Sequence, residues 1–381
     1  MLILFVLVLV VVLWWYKSMC SEVMKDDEQP LKMNPPRVRV TSRKWSRMKR
    51  RVRARVRNVF AEKNHRGIAV AVFHKGEHVL SAVAGIGHFG GAVRSIEEDT
   101  LFMPFSVTKG MCAAAIATLV DKGDISYDDK ISSRWPEFAT SSSKKDVTIA
   151  TAISHRAGLQ HTSLTFIIQS IYGYFRNGKL FCSLSSLQYT TQHTTKPGWK
   201  KAWDLGIKYI EESSPAFIPN TKAIYHPVSW SWVVGGICDK CTSKDKYIRC
   251  RIYDIFRDNI ATPIGCRDDM FIGRVPKRVR KRVCRLERDK KWWNQQDRTL
   301  AQNIFGIFES YVLCAMGNSE AWRNLCLPSS NGVFTAHSVA KVYGALANGG
   351  IVDGTRILSS EILDHIYNTI QDERHFLHNE A

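Results

Sequence analysis

The chain has 381 residues, 45% of them hydrophobic, and a formal net charge of +19. That length can bury a full core as one large domain or two modest ones, and the hydrophobic share excludes a chain that is mostly disordered. The positive charge is concentrated in blocks, so anionic partners have to be weighed.

Residues 1–16, MLILFVLVLVVVLWWY, carry no charged side chain and end in Trp14, Trp15 and Tyr16, an aromatic cluster suited to a membrane-water interface. A transmembrane anchor over 1–17 is the reading. It is slightly short for a hydrocarbon core of ~30 Å at 1.5 Å per residue, so a cleaved signal segment and a buried strand stay open. A signal segment normally starts with basic residues, which are lacking here. Lys17, Lys25, Lys32 and the run from Arg37 to Arg57 follow the apolar stretch, which predicts that the rest of the chain lies on the cytoplasmic side. The sequence has no Asn-x-Ser/Thr sequon, and its ten cysteines lack framework spacing, as expected of reduced thiols. Cys238-Asp239-Lys240-Cys241 is a lone CxxC without a partner pair and reads as structural rather than metal-binding.

Residues 18–36 are polar, contain Pro30, Pro35 and Pro36, and read as a linker. Trp45, Met48, Val52, Val56 and Val59 recur at near-helical intervals, predicting an amphipathic basic helix over 40–60. The linker and helix are assigned to 18–58, and a folded domain to 59–381. A second basic block spans 274–291. Solvated helix faces account for both blocks; attraction to anionic lipid is the sharper reading for the first, beside the apolar stretch. Nothing resembles a nucleic-acid-binding motif.

Ile68–Phe73 and His78–Ala84 are β-rich runs separated by Lys75-Gly76, a hairpin signature. Residues 107–121 form a predicted helix stopped by Gly123, with Ala113, Ala114, Ala115 and Ala117 allowing close packing on every side. The chain beyond is mostly helical, so the predicted class is α+β.

Ser106-Val107-Thr108-Lys109 opens that helix. Ser46, Ser141, Ser142, Ser243 and Ser338 also have lysine three residues on, so spacing alone decides nothing. Only Ser106 combines a preceding apolar run, Leu101–Phe105, with a following buried-type helix. A serine nucleophile needs a base within hydrogen-bond reach and donors for the developing oxyanion. Lysine one helical turn on lies on the same face, burial lowers its pKa, and a helix N-terminus aims N–H groups at a substrate carbonyl. Lys109 could then act as a neutral base or polarise a tyrosine.

Residues 100–138 resemble the first conserved region of the serine β-lactamase, penicillin-binding protein and type VIII carboxylesterase superfamily. ISHRAGL (153–159), AIYHPVSWSWVVGGI (223–237), the segment 255–273 and NGVFTAHSVAKVYGALANGG (331–350) are similar to its later motifs, in order, over about 65–365. The resemblance implies a β-lactamase/transpeptidase-like α+β fold, an antiparallel sheet flanked by helices with a mostly helical subdomain, and catalysis by Ser106, Lys109 and Tyr225. It places His226 beside the pocket in a substrate-binding role and gives His155 a structural turn. Lactamases of the superfamily more often carry Tyr-x-Asn; Pro227 at the third position favours an esterase or peptidase type acting on small esters or amides. No cofactor or metal is implied, and a homo-oligomer is compatible with it.

The sequence departs from the superfamily in three places. Ser231 stands where glycine is usual, and 277–291 is more basic than usual. After Gly350 no Lys-Thr-Gly or His-x-Gly segment occurs, and the tail reads as a short hairpin and a helix, so C-terminal strands are expected to be missing. A hairpin edge without its usual partners is a stability problem, and losing one oxyanion donor costs ~10²–10³ in rate. The expected protein is a membrane-anchored serine hydrolase; the alternative is a catalytically inactive scaffold or truncated product.

Overall fold

The computed structural model describes residues 36–63, 66–140, 142–160, 198–243, 250–287, 314 and 317–377. The expected anchor over 1–17 lies outside them. Among the described residues no helix is long and apolar enough to cross a membrane.

The hairpin forms as expected. Strand β2 (Gly67–His74) pairs antiparallel with β3 (Glu77–Phe89). Lys75 and Gly76 both take positive φ, 53° and 73°, as a two-residue turn matching strand twist requires. Strand β3 runs past Ala84, turns at Gly90 and Gly91, and pairs with β4 (Ala92–Ser95).

The segment assigned ahead of the domain belongs to the folded body. RVRV folds as β1 (Arg37–Val40) on the other edge of β3, giving the order β1-β3-β2. Its period-two alternation buries Val38 while Arg37 and Arg39 reach Glu97 and Glu98 at 2.7 and 3.6 Å. The charge of the run hid this alternation, and the helix predicted from 40 starts at Ser46. Helix α1 (Ser46–Lys63) turns Met48, Val52 and Val56 onto the sheet, against Val79, Leu80 and Ala84.

Helix α2 (Val107–Asp121) is central. Met111, Cys112, Ala115, Ile116 and Leu119 lie within the largest apolar core. Helices α3 (Gly198–Glu212) and α4 (Trp230–Gly236) pack into it through Trp203, whose ring occupies the place of a Gly235 side chain: a Cβ there would stand 2.1 Å from its Cη2. Helix α5 (Arg251–Phe256) adds Ile252, Ile255 and Phe256.

Strands β5 (Met270–Ile272) and β6 (Gly332–Phe334) form a second small sheet. Helix α6 (Ala336–Leu346) follows and packs on β2. Gly110 makes a close approach of α2 and α6 possible, since a Cβ there would lie 2.1 Å from the Tyr343 hydroxyl oxygen. The tail is a two-stranded ladder, β7 (Ile351–Val352) with β8 (Thr355–Arg356), and helix α7 (Ser360–Leu377), matching the predicted hairpin and helix.

Candidate active site

The approach to Ser106 is clamped on both sides. Phe102 exchanges two 2.8 Å backbone hydrogen bonds with Phe334 of β6. Leu101 donates to the carbonyl of Arg282 at 2.9 Å and accepts from Cys284 at 2.9 Å. Phe105 then takes φ of +46°, a left-handed conformation that costs a bulky residue about 1–3 kcal/mol and persists where surrounding structure enforces it. Thr108 secures the other side: its Oγ1 donates to the Phe105 carbonyl and accepts from Gly332 N at 2.9 Å. Ser106 emerges exposed ahead of α2, with αR backbone, so Lys109 falls on its face one turn later.

Lys109 is 8% exposed, and its Nζ donates to Ser106 Oγ at 3.3 Å, the Pro227 carbonyl at 3.0 Å and the Ser329 carbonyl at 3.0 Å. Three acceptors match the three N–H bonds of an ammonium. The Tyr225 and Trp230 rings lie 4.8 and 5.9 Å from it. Burial brings the amine below its ordinary pKa, with Tyr225 partly offsetting the shift.

Tyr225 Oη donates to Ser106 Oγ at 2.6 Å. Burial raises its pKa, but the Lys109 amine and the Ser106 hydrogen bond outweigh it, and the phenol sits below its ordinary value. The serine-lysine pair and the tyrosine, expected from separate segments, therefore meet.

The ISHRAGL turn fixes Tyr225 from behind. His155, at φ +66°, accepts from Ile224 N through its carbonyl and from His226 N through Nδ1, both at 3.1 Å. Its ring stands 4.9 Å from that of Tyr225. Burial, reinforced by the neighbouring His226 and Lys109, pushes its pKa from 6.5 to about 4, so the ring is neutral as its acceptor role requires.

His226, expected beside the pocket, is a buried side chain. It is 1% exposed, its Nε2 accepts from Leu159 N at 2.9 Å and its Nδ1 donates to the Ile224 carbonyl at 2.5 Å. Both ring nitrogens face backbone groups, so the side chain ties the Tyr225 segment to the ISHRAGL turn.

Three residues were missed as supports: Ser231, Ser329 and Pro227. Ser231 Oγ donates to Ser329 Oγ at 2.6 Å and accepts from Ser329 N at 3.0 Å. The serine noted as a departure thus holds the loop whose carbonyl takes Lys109. Pro227 lies two residues after Tyr225 and could have been suspected; Ser329 is far away in sequence and carries no local signal.

Residues of two other Ser-x-x-Lys matches make structural contacts. Ser338 Oγ donates to the Asp269 and Thr335 carbonyls at 3.1 and 3.0 Å, and Lys341 pairs with Asp353 at 2.7 Å. Lys144 is buried and donates to the Ile210 and Glu211 carbonyls at the end of α3. Cys238 and Cys241 are buried, and burial pushes both thiols up, Cys241 to about 12.

The sequence is similar to Esterase/beta-lactamase LipL of Mycobacterium tuberculosis (strain ATCC 25618 / H37Rv), 28% identical over 318 residues covering 80% of this chain. The match spans 64% of that protein's length. The structure resembles a family VIII carboxylesterase, with a TM-score of 0.64, 25% identity and coverage of 86% of this chain and 76% of the other. It also resembles a penicillin-binding protein homologue from Caulobacter crescentus, with a TM-score of 0.61, 25% identity and the same coverage of 86% and 76%. These likenesses identify the α+β fold as β-lactamase/transpeptidase-like. The family profile described as Beta-lactamase matches residues 52–364, and the chain therefore belongs to the beta-lactamase family.

Proposed function

We propose that the protein is a serine hydrolase of esterase or peptidase type that works through an acyl-enzyme on Ser106. The carrying observation is the 2.6 Å contact between Tyr225 Oη and Ser106 Oγ, with Lys109 Nζ 3.3 Å from the same oxygen. With the phenol ionised that contact reverses: Ser106 Oγ–H donates its proton to the phenolate as Oγ attacks the substrate carbonyl. Lys109, charged and held by three acceptors, stabilises the phenolate. Tyr225 passes the proton to the leaving alcohol or amine, and water then attacks the acyl-serine and returns a proton to Oγ. Of the two roles weighed for Lys109, polarising the tyrosine fits its full set of acceptors better than accepting a proton itself.

The names of the similar proteins support ester or lactam substrates, and Pro227 two residues after Tyr225 favours the ester or amide side. Residues 1–16 are proposed to anchor the chain in a membrane, with the folded part on the cytoplasmic side, from their apolar sequence and the positive charge that follows.

Hydrolysis of p-nitrophenyl esters and labelling by a fluorophosphonate probe test the reading. Ser106→Ala should abolish labelling and lower kcat/KM by ~10⁴ or more. Undiminished labelling of that variant removes Ser106 as the nucleophile. A wild type no faster than the variant supports the inactive scaffold instead.

A further inference from the structure

Helix α1 is basic along its whole outer face. Arg47, Arg50, Arg51, Arg53, Arg55 and Arg57 are all exposed, whereas Met48, Val52 and Val56 face the sheet. At 3.6 residues per turn the exposed positions cover the side opposite the apolar stripe. Sequence 37–61 contains no Asp or Glu, and among the described residues none of these six arginines makes an ion pair. Arg47 with Arg51, and Arg53 with Arg57, are like charges one turn apart, and basic residues in the first turn oppose the helix dipole.

We propose that the arginine face of α1 is a docking surface for an anionic lipid bilayer, laid flat along the headgroups. A helix of 18 residues, ~27 Å long, offers a row of guanidinium groups that pair bidentately with lipid phosphates. Its apolar side is already occupied by β1 and β3, so the contact is electrostatic and the helix does not insert. A bilayer is favoured over nucleic acid because the uncharged sequence 1–16, ending in Trp14, Trp15 and Tyr16, precedes Arg37 with only residues 17–36 between. Membrane association of either segment brings the other within reach of the same surface. This inference goes beyond the hydrolase reading and does not depend on Ser106.

The test is co-sedimentation of the full chain with vesicles of phosphatidylcholine alone and of equimolar phosphatidylcholine and phosphatidylserine. Binding to the neutral vesicles reports on residues 1–16; the excess on anionic vesicles reports on α1. The excess should disappear as salt shortens the Debye length from ~30 Å at 0.01 M to ~3 Å at 1 M. Each basic residue near an anionic surface strengthens binding about fivefold, so replacing Arg47, Arg50, Arg51 and Arg57 together by Gln should lower the excess by ~10² or more. Circular dichroism checks that the variant folds, and the wild-type salt titration stands without it. Equal binding to both vesicle types, an excess insensitive to salt, or a folded variant with the excess intact overturns the proposal. So does salt-sensitive capture by duplex DNA that is tighter than capture by the anionic vesicles.

Discussion

The basic block from Arg274 and the arginines of helix α1 are alike in sequence and opposite in structure. In the block from Arg274, positive charge is held: Arg278 pairs with Asp268, Arg280 with Glu320, and Arg282 with Asp269 and, at 3.3 Å, Asp99. Its backbone also clamps Leu101 on the approach to Ser106. In helix α1 the arginines point outward and meet no carboxylate among the described residues. Charge density in a sequence is therefore no guide to its use; what decides is whether the fold brings acids to it. Lys109 is the extreme of the held kind, a buried amine with three acceptors.

If held and open charge differ in this way, removing each should fail differently. The largest effect belongs to Lys109→Met, which should cost ~10³ or more in kcat/KM for ester hydrolysis by leaving the Tyr225 phenolate unsupported. The pH profile should change with it. In the wild type the rising limb set by Tyr225 lies below the ordinary phenol value, and in the variant it moves up because burial is then opposed only by the Ser106 hydrogen bond. A limb that stays in place would separate Lys109 from Tyr225.

Arg282→Gln should destabilise by about 1–3 kcal/mol in denaturant unfolding. It removes the ion pairs and 3.0 Å hydrogen bonds to the Asp99 and Asp268 carbonyls, from a side chain only 22% exposed. Activity should fall with it, since the side chain anchors the backbone whose carbonyl accepts from Leu101.

A smaller, pH-dependent effect is expected at His155. The folded ring takes a proton near pH 4 and the unfolded one near 6.5, so between those values the unfolded chain binds more protons. Its contribution to stability is full above 6.5 and is lost as pH falls toward 4. His155→Asn keeps an acceptor and tolerates the left-handed backbone, so its unfolding temperature should fall less steeply across that window. Parallel slopes would exclude His155 as the titrating support.

The smallest change is expected in the open block. Arg50→Gln with Arg51→Gln should leave thermal unfolding within about 0.5 kcal/mol of the wild type. A large loss would mean that this face is held after all.

The local elements were legible because their signals are local. The hairpin follows from two β-rich runs around Lys75-Gly76, helix α2 from small apolar residues ending at Gly123, and the tail from its own turn and helix pattern. Strand β1 was not, because four residues of alternating charge look like more of the basic run until β3 supplies a partner. Ser106, Lys109 and Tyr225 were identified through ordered motifs, and the structure brings all three together.

The sequence by itself determined the α+β class, the family resemblance and the serine and lysine on one helix face, since helical periodicity alone puts residues three apart together. Only the tertiary structure decided what the long-range contacts do. It turned His226 inward to the backbone, recruited Ser231 and Ser329 to hold Lys109, and placed Asp99, Asp268 and Asp269 against one basic block while leaving the arginines of helix α1 open. Those outcomes depend on which distant backbone groups and carboxylates arrive within about 3 Å, the reach of a hydrogen bond, and no local pattern encodes that.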